Sequence, residues 1–158
     1  MTMTENQPSV VDRDEFTVRR TITIAAPLEK VWAAITEAEH IARWFPQTVV
    51  LDGAGVGAGG LFSFEGYGDV PVQIEELDPP RMIAYRWGSA SSLDPVRVDV
   101  NSSTVFRFTL EPVATGTQLT VVESGFDALS DPAASMESNR TGWDSELDEL
   151  VAYLEGGS

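Results

Sequence analysis

The chain has 158 residues, 42% of them apolar, which is enough for one domain with a core of its own. It contains no cysteine, and that excludes disulfides, thiolate metal sites and thiol catalysis. Ten basic residues, of which Lys30 is the only lysine, stand against 25 acidic ones, and the formal net charge of −15 repels nucleic-acid backbones and anionic lipid headgroups.

The first residues lack the basic and apolar regions of a secretory signal, and no later run approaches a membrane span. A cytoplasmic protein is therefore expected, with no membrane insertion, no nucleic-acid partner and no use of the sequons at Asn101 and Asn139. Residues 1–15 are polar and unpatterned and read as a disordered tail. From Phe16 the period is two: Phe16, Val18, Ile22 and Ile24 alternate with Thr17, Arg19, Thr21 and Thr23, the mark of a half-buried strand. "APLEKVWAAIT" then puts Pro27 where the first turn of a helix tolerates it, with Val31, Trp32 and Ile35 at helical spacing. A second short helix, "EAEHIARWF", ends at Pro46, and "TVVLD" reads as a strand.

The stretch "GVGAGG" matches G-x-G-x-x-G at Gly55, Gly57 and Gly60. A phosphate cradle needs a helix opening after the glycines, so that its N–H groups face the anion. The next residues are instead "LFSFEGYGDVPVQIEEL", where Phe62 and Phe64 are two apart and Gly66, Gly68 and Pro71 oppose a helix; no lysine completes a P-loop either. The glycines are expected to form a wide hairpin. "VPVQIEEL" and "RMIAYRW" flank the turn signal "DPP", and "TVFRFTLEPV" and "TQLTVVESGF" flank "ATG". Between Trp87 and Thr104 the pattern is irregular; its length suggests a covering loop, with "VRVDV" as an irregular extra strand.

The period changes again at the C-terminus. Asp131 before Pro132 forms an N-cap and first-turn pair, and Met136, Arg140, Trp143, Leu147, Leu150 and Leu154 recur three and four apart until Gly156 and Gly157. Gly142, inside this long amphipathic helix, costs about 1 kcal/mol relative to alanine and suggests close approach to another element. Asp144, Asp148 and Glu155 recur at helical spacing and read as a solvated face. A strand, two short helices, a run of strands and a long helix make a segregated order, which points to an α+β domain over 16–155 between tails 1–15 and 156–158.

Taken together, "TITIAAPLEKVWAAITEAEHIARWF", "GAGGLFSFEG", "IEELDPPRMIAYRW", "ESGF" and "GWDSELDELVAYLE" resemble the START-related helix-grip SRPBCC superfamily. Within it they are most similar to bacterial single-domain members of the group named after the activator of the heat-shock-protein-90 ATPase. The similarity runs from about Phe16 to Leu154. Its most specific pieces are Pro27 to Trp32 before Trp44, the "GG-x-F-x-F" at Gly59 to Phe64, and Gly142-Trp143. The resemblance implies a seven-stranded antiparallel sheet gripping the last helix, with a ligand cavity between them. Eukaryotic activators carry a further N-terminal domain that docks on the chaperone, for which this length leaves no room, so co-chaperone activity is not expected. Related members bind lipids, sterols, plant hormones or polyketides, and some cyclise polyketides, so membership leaves the ligand open.

Alternation puts Phe62, Phe64, Ile74, Tyr85 and Trp87 on the face toward the helix. Phe106, Phe108, Leu119 and Val121 join them, opposite Met136, Trp143 and Leu147. Such stripes are either core or the walls of a cavity. Three charged residues break the apolar phase: Arg20 on the first strand, Glu123 on the last and Arg140 on the helix. An inward Arg20 needs a carboxylate, for which Glu123 is the natural candidate if the first and last strands are neighbours. The charges then form a structural ion bridge, or, with the Tyr85 hydroxyl, orient an apolar ligand with one polar head. His40, beside Glu39 on a short helix, reads as a surface residue rather than a general base, and neither a metal site nor a serine triad finds its residues.

The leading expectation is a cofactor-free protein that encloses a small hydrophobic or amphipathic molecule under its last helix. The alternatives are a cyclase- or dehydratase-like enzyme for an aromatic or polyketide-like substrate, with Tyr85, Glu123 and an arginine as proton donor, base and anion stabiliser, and an acidic module that meets a basic protein partner.

Overall fold

A computed structural model of the chain describes residues 6–46, 48–53, 55–64, 68–88, 103–129 and 131–156. The expected strand at "VRVDV", the covering loop and Asn101 lie outside the described residues. The strands are β1 (Val10–Asp12), β2 (Thr17–Ile24), β3 (Thr48–Leu51), β4 (Gly59–Phe64), β5 (Gly68–Asp78), β6 (Met82–Trp87), β7 (Thr104–Val113) and β8 (Gly116–Ser124). The helices are α1 (Leu28–Thr36), α2 (Ala38–Ile41) and α3 (Pro132–Glu155), with a 3-10 turn at Phe126–Ala128. All strands belong to one antiparallel sheet in the order β1-β2-β8-β7-β6-β5-β4-β3.

This is the α+β helix-grip arrangement, with eight strands among the described residues where seven were expected. The additional strand comes from the stretch read as a tail: Val10, Val11 and Asp12 pair with Arg19, Val18 and Thr17. Three residues, Val-Val-Asp, are too few to show a period, and pairing with the edge of β2 supplies the order. Phe16, with φ 54°, makes the left-handed turn between the two strands.

The alternating residues of β2, β7 and β8 bury one face: Val18, Ile22 and Ile24, then Phe106, Phe108 and Leu110, then Leu119 and Val121. Against this face lie Val31, Ala34 and Ile35 of α1 and Met136, Trp143, Leu147, Leu150 and Val151 of α3. The second helix is one turn long, shorter than expected. Beyond it Trp44 and Phe45 are still buried: the Trp44 indole donates to the Ala34 carbonyl at 2.8 Å and its ring stacks on Phe45. Hydrogen bonding of the indole and aromatic packing hold these residues without helical backbone.

The glycine stretch is the β3–β4 hairpin. Gly57 has φ 91°, and a Cβ on Gly60 would sit 2.0 Å from the Val50 carbonyl oxygen, so the glycines serve a turn and a close strand approach. Gly142 is the opposite case, and corrects the expectation of close packing: a Cβ there would meet nothing within 4 Å.

The acidic residues of α3 are also more than a solvated face. Arg20, only 4% exposed, donates through Nη2 to Asp148 at 2.8 Å and through Nη1 to the Asp144 carbonyl at 3.0 Å. Its Nε donates to the Gln7 carbonyl, Asp144 accepts the Ser9 amide, and Glu155 accepts the Ala25 amide. These charge-assisted bonds fasten α3 and the N-terminal stretch to β2.

Candidate functional site

A cavity of about 890 Å³ lies between the sheet and the first half of α3. It falls within the range of roughly 300–1,000 Å³ usual for small-molecule sites. The sheet contributes Phe64, Val70, Trp87 and Thr104, the segment after α2 contributes Phe45, and α3 contributes Trp143 and Asn139. Ala134, Ser135, Ser138 and Gly142 of α3 also line it. These four small residues explain the space. Where Leu147 and Leu150 reach the sheet, the helix fills the gap; nearer its start, the side chains at 134, 135, 138 and 142, of one or two heavy atoms or none, cannot.

Phe45 is the aromatic hub of the floor. Its ring lies 5.6 Å from those of Phe62 and Phe64, 5.7 Å from Trp87 and 5.5 Å from Trp143. The Trp87 and Trp143 rings are stacked, with centroids 6.0 Å apart.

Behind this floor sits Glu123, with no exposed surface. Strand alternation turns it inward, opposite Phe106 of β7 and Val18 of β2. The Trp143 indole donates to Oε1 at 2.8 Å, the Trp87 indole to Oε2 at 2.9 Å, and the Asn139 amide to both oxygens at 3.0 Å. The Thr104 hydroxyl also donates to Oε2. All four partners line the cavity. Asn139 and Trp143 are four apart on one face of α3, and Trp87 and Thr104 are register partners on β6 and β7, so one carboxyl joins three elements around the floor. Among the described residues no cation reaches Glu123. Burial pushes its carboxyl above the ordinary carboxylate value, and the four hydrogen bonds pull it part of the way back.

The second acidic group is Glu146, half-buried at the cavity wall one turn after Gly142. Burial first, and then the neighbouring charge of Glu149, raise it from 4.5 to about 7. Among the described residues it has neither a hydrogen bond nor an ion pair, and it is the one ionisable residue of the lining.

Of the residues expected from sequence, Phe64, Trp87 and Trp143 line the cavity. Phe62, Ile74, Tyr85, Phe106 and Phe108 are core side chains beneath or beside it, as are Leu119, Val121, Met136 and Leu147. The Tyr85 hydroxyl donates to the Ile35 carbonyl at 2.7 Å, and burial pushes its pKa up; it ties β6 to α1 rather than facing the cavity. Arg20 and Glu123 share a sheet face but do not pair. Arg20 stands opposite Val121, two residues along from the Val18–Glu123 row, and takes its carboxylates from α3, while indole, amide and hydroxyl donors occupy Glu123. Arg140 lies at the surface against Glu137 and Asp144, away from the cavity. His40 is partly exposed, with Nδ1 2.8 Å from the Tyr153 hydroxyl; its ring and the carboxylates of Glu37 and Glu39 have ligand atoms within 4.8 Å of one another.

Sequence reasoning missed Phe45, Thr104, Asn139 and Glu146. Asn139 carried a signal, since it falls three residues after Met136 and four before Trp143, a polar break in the apolar stripe that is easily credited to its neighbour Arg140.

The profile of the family described as activator of Hsp90 ATPase homolog 1-like protein matches residues 25–155. The chain belongs to this family. No curated protein sequence matches it. This family member is similar in structure to the protein MLL2253 from Mesorhizobium loti, at 26% identity and a TM-score of 0.75 over 90% of this chain and 98% of that one. It is similar to the Aha1 dimer from Colwellia psychrerythraea, at 26% identity and a TM-score of 0.69 over the same shares, 90% and 98%. DynU16, a protein of the dynemicin biosynthetic locus, shares the fold at 24% identity and a TM-score of 0.72, covering 90% of this chain and 48% of that one. Among the described residues no helix is long and apolar enough to cross a membrane.

Proposed function

We propose that the protein binds a small, mostly apolar molecule carrying a polar group, held between the sheet and the first half of α3. The observation that carries this reading is the cavity of about 890 Å³, which has aromatic rings on its floor and small residues on its helical wall. A core built only for stability closes such a gap, because unfilled volume forfeits contacts on both sides. The carboxyl behind the floor fits the same purpose: Glu123 fixes both indoles by their N–H groups and so holds the aromatic surface ready for a ligand.

Binding is favoured over a cyclase-like reaction by where the expected catalytic trio lies. The Tyr85 hydroxyl is engaged by Ile35, and Arg20 and Arg140 are paired with carboxylates away from the cavity.

Titration with N-phenylnaphthylamine, an uncharged dye that fluoresces in apolar surroundings, tests the proposal. The dye is expected to bind saturably and to quench tryptophan emission. Gly142→Phe should plug the cavity and abolish binding while the thermal midpoint is kept, since the new side chain points into open space. Saturable binding of equal strength to the plugged variant, or none to the wild type, would overturn it.

A further inference from the structure

We infer that the cavity selects organic cations, aromatic or aliphatic molecules bearing a protonated amine, over anions of the same shape. This rests on the reading of the cavity as a ligand site and adds the charge of what it takes. Among the described residues the lining contains no lysine, arginine or histidine, and its one ionisable group is the unpartnered carboxyl of Glu146. A ligand carboxylate or phosphate entering here would lose its water and find no counter-charge in the lining, since the Arg86 guanidinium that donates to Ser103 of the lining is already paired with Glu75, whereas an ammonium would find one.

Four further features act in the same direction. The Trp87, Trp143, Phe45 and Phe64 rings line the cavity, and a cation seated over the face of any of them within about 6 Å of its centroid is attracted by the π system. The carboxyl of Glu123 behind that floor has no cation beside it among the described residues, so its charge, when present, adds to the negative potential felt in the cavity. The start of α3, which could have offered an anion site, is already occupied. Asp131 accepts the Ala134 amide with its side chain and the Ser135 amide with its carbonyl, and its negative charge offsets the positive end of the helix. At longer range, the net charge of −15 concentrates cations near the protein and repels anions.

The raised pKa of Glu146 is consistent with an acid that has been left without its partner. An ammonium beside it would stabilise the ionised form and draw the value back down.

The test compares three probes of one shape, naphthylethylamine, ethylnaphthalene and naphthylacetate, by tryptophan quenching at about pH 8, where the amine is still protonated. The amine is expected to bind at least about tenfold more tightly than the carboxylate, a difference of about 1.4 kcal/mol, with the uncharged probe between them. Glu146→Gln should bring amine and uncharged probe to within about threefold of each other, and its thermal midpoint reports that the variant is folded. If ethylnaphthalene binds but the amine is no tighter than the carboxylate, the charge inference fails and the ligand site stands. If none of the three binds, both fail. A preference for the amine that survives intact in Glu146→Gln would remove Glu146 from the explanation and overturn the inference as stated.

Discussion

Glu123→Gln isolates the carboxyl that joins sheet and helix around the cavity. The shape is unchanged, but an amide has one acceptor oxygen where the carboxylate has two, and all four neighbours of Glu123 donate. If the amide oxygen takes the Oε2 position, its NH2 group meets the Trp143 indole, for which Glu123 is the only acceptor among the described residues. The better placement keeps the oxygen toward Trp143 and turns the NH2 toward Thr104 and Trp87. The Thr104 hydroxyl can rotate to accept, and the Trp87 indole already lies 2.9 Å from that hydroxyl, so one crowded donor remains. An unsatisfied buried donor costs about 1–3 kcal/mol. For a chain of this length each kcal/mol is worth roughly 2–4 °C, so the thermal midpoint should fall by roughly 2–12 °C. Glu123→Leu, which removes both acceptors, should fall further. Circular dichroism melts measure the change, and dye titration should weaken alongside as the indoles lose their fixed orientation. A Gln variant that melts at or above the wild-type temperature would refute the donor accounting and the positioning role built on it.

Gly142→Ala should raise stability by about 1 kcal/mol, seen as a midpoint gain of roughly 2–4 °C, because the added methyl relieves a helix-interior glycine without touching anything. Arg20→Met should cost about 2 kcal/mol, toward the middle of the range for hydrogen bonds to charged groups, discounted because Asp148 is 68% exposed and rehydrates easily. In the same variant hydrogen exchange at the Ser9 amide should accelerate, since the Gln7 carbonyl loses its partner and β1 its anchor. For Glu146 the folded value of about 7 lies above the ordinary 4.5, so across that window the folded chain holds more proton than the unfolded one and stability falls as pH rises. Glu123, raised by burial, acts in the same sense. Glu146→Gln removes its share of the slope, so the midpoint of the variant relative to wild type should climb between about pH 5 and about pH 8; a constant difference would contradict the assignment.

The identity of most elements was legible because their causes are local. A period of two gave β2, β7 and β8, proline and glycine positions separated the hairpins, and Asp131-Pro132 with its apolar stripe gave α3. Two of the misreadings have a common origin in long-range pairing. Residues 10–12 have no strand pattern and become a strand by lying beside β2. Asp144 and Asp148 have the spacing of an exposed face, and acquire a partner because the register of β2 and β8 delivers Arg20 beneath the helix.

The amino-acid sequence by itself determined most of the architecture: which of the longer segments are strands or helices, which face of each is apolar, and hence a sheet closing over its last helix. Those properties depend on residues within a few positions of one another, where backbone preference and side-chain periodicity act directly. Only the tertiary structure decided where the packing stops short. The cavity is a volume left over when four small residues of α3 face aromatic rings from the other side of the chain, and Glu123 draws its hydrogen bonds from Trp87, Thr104, Asn139 and Trp143. A space and a shared carboxyl are sums over distant residues, and no stretch of sequence contains them.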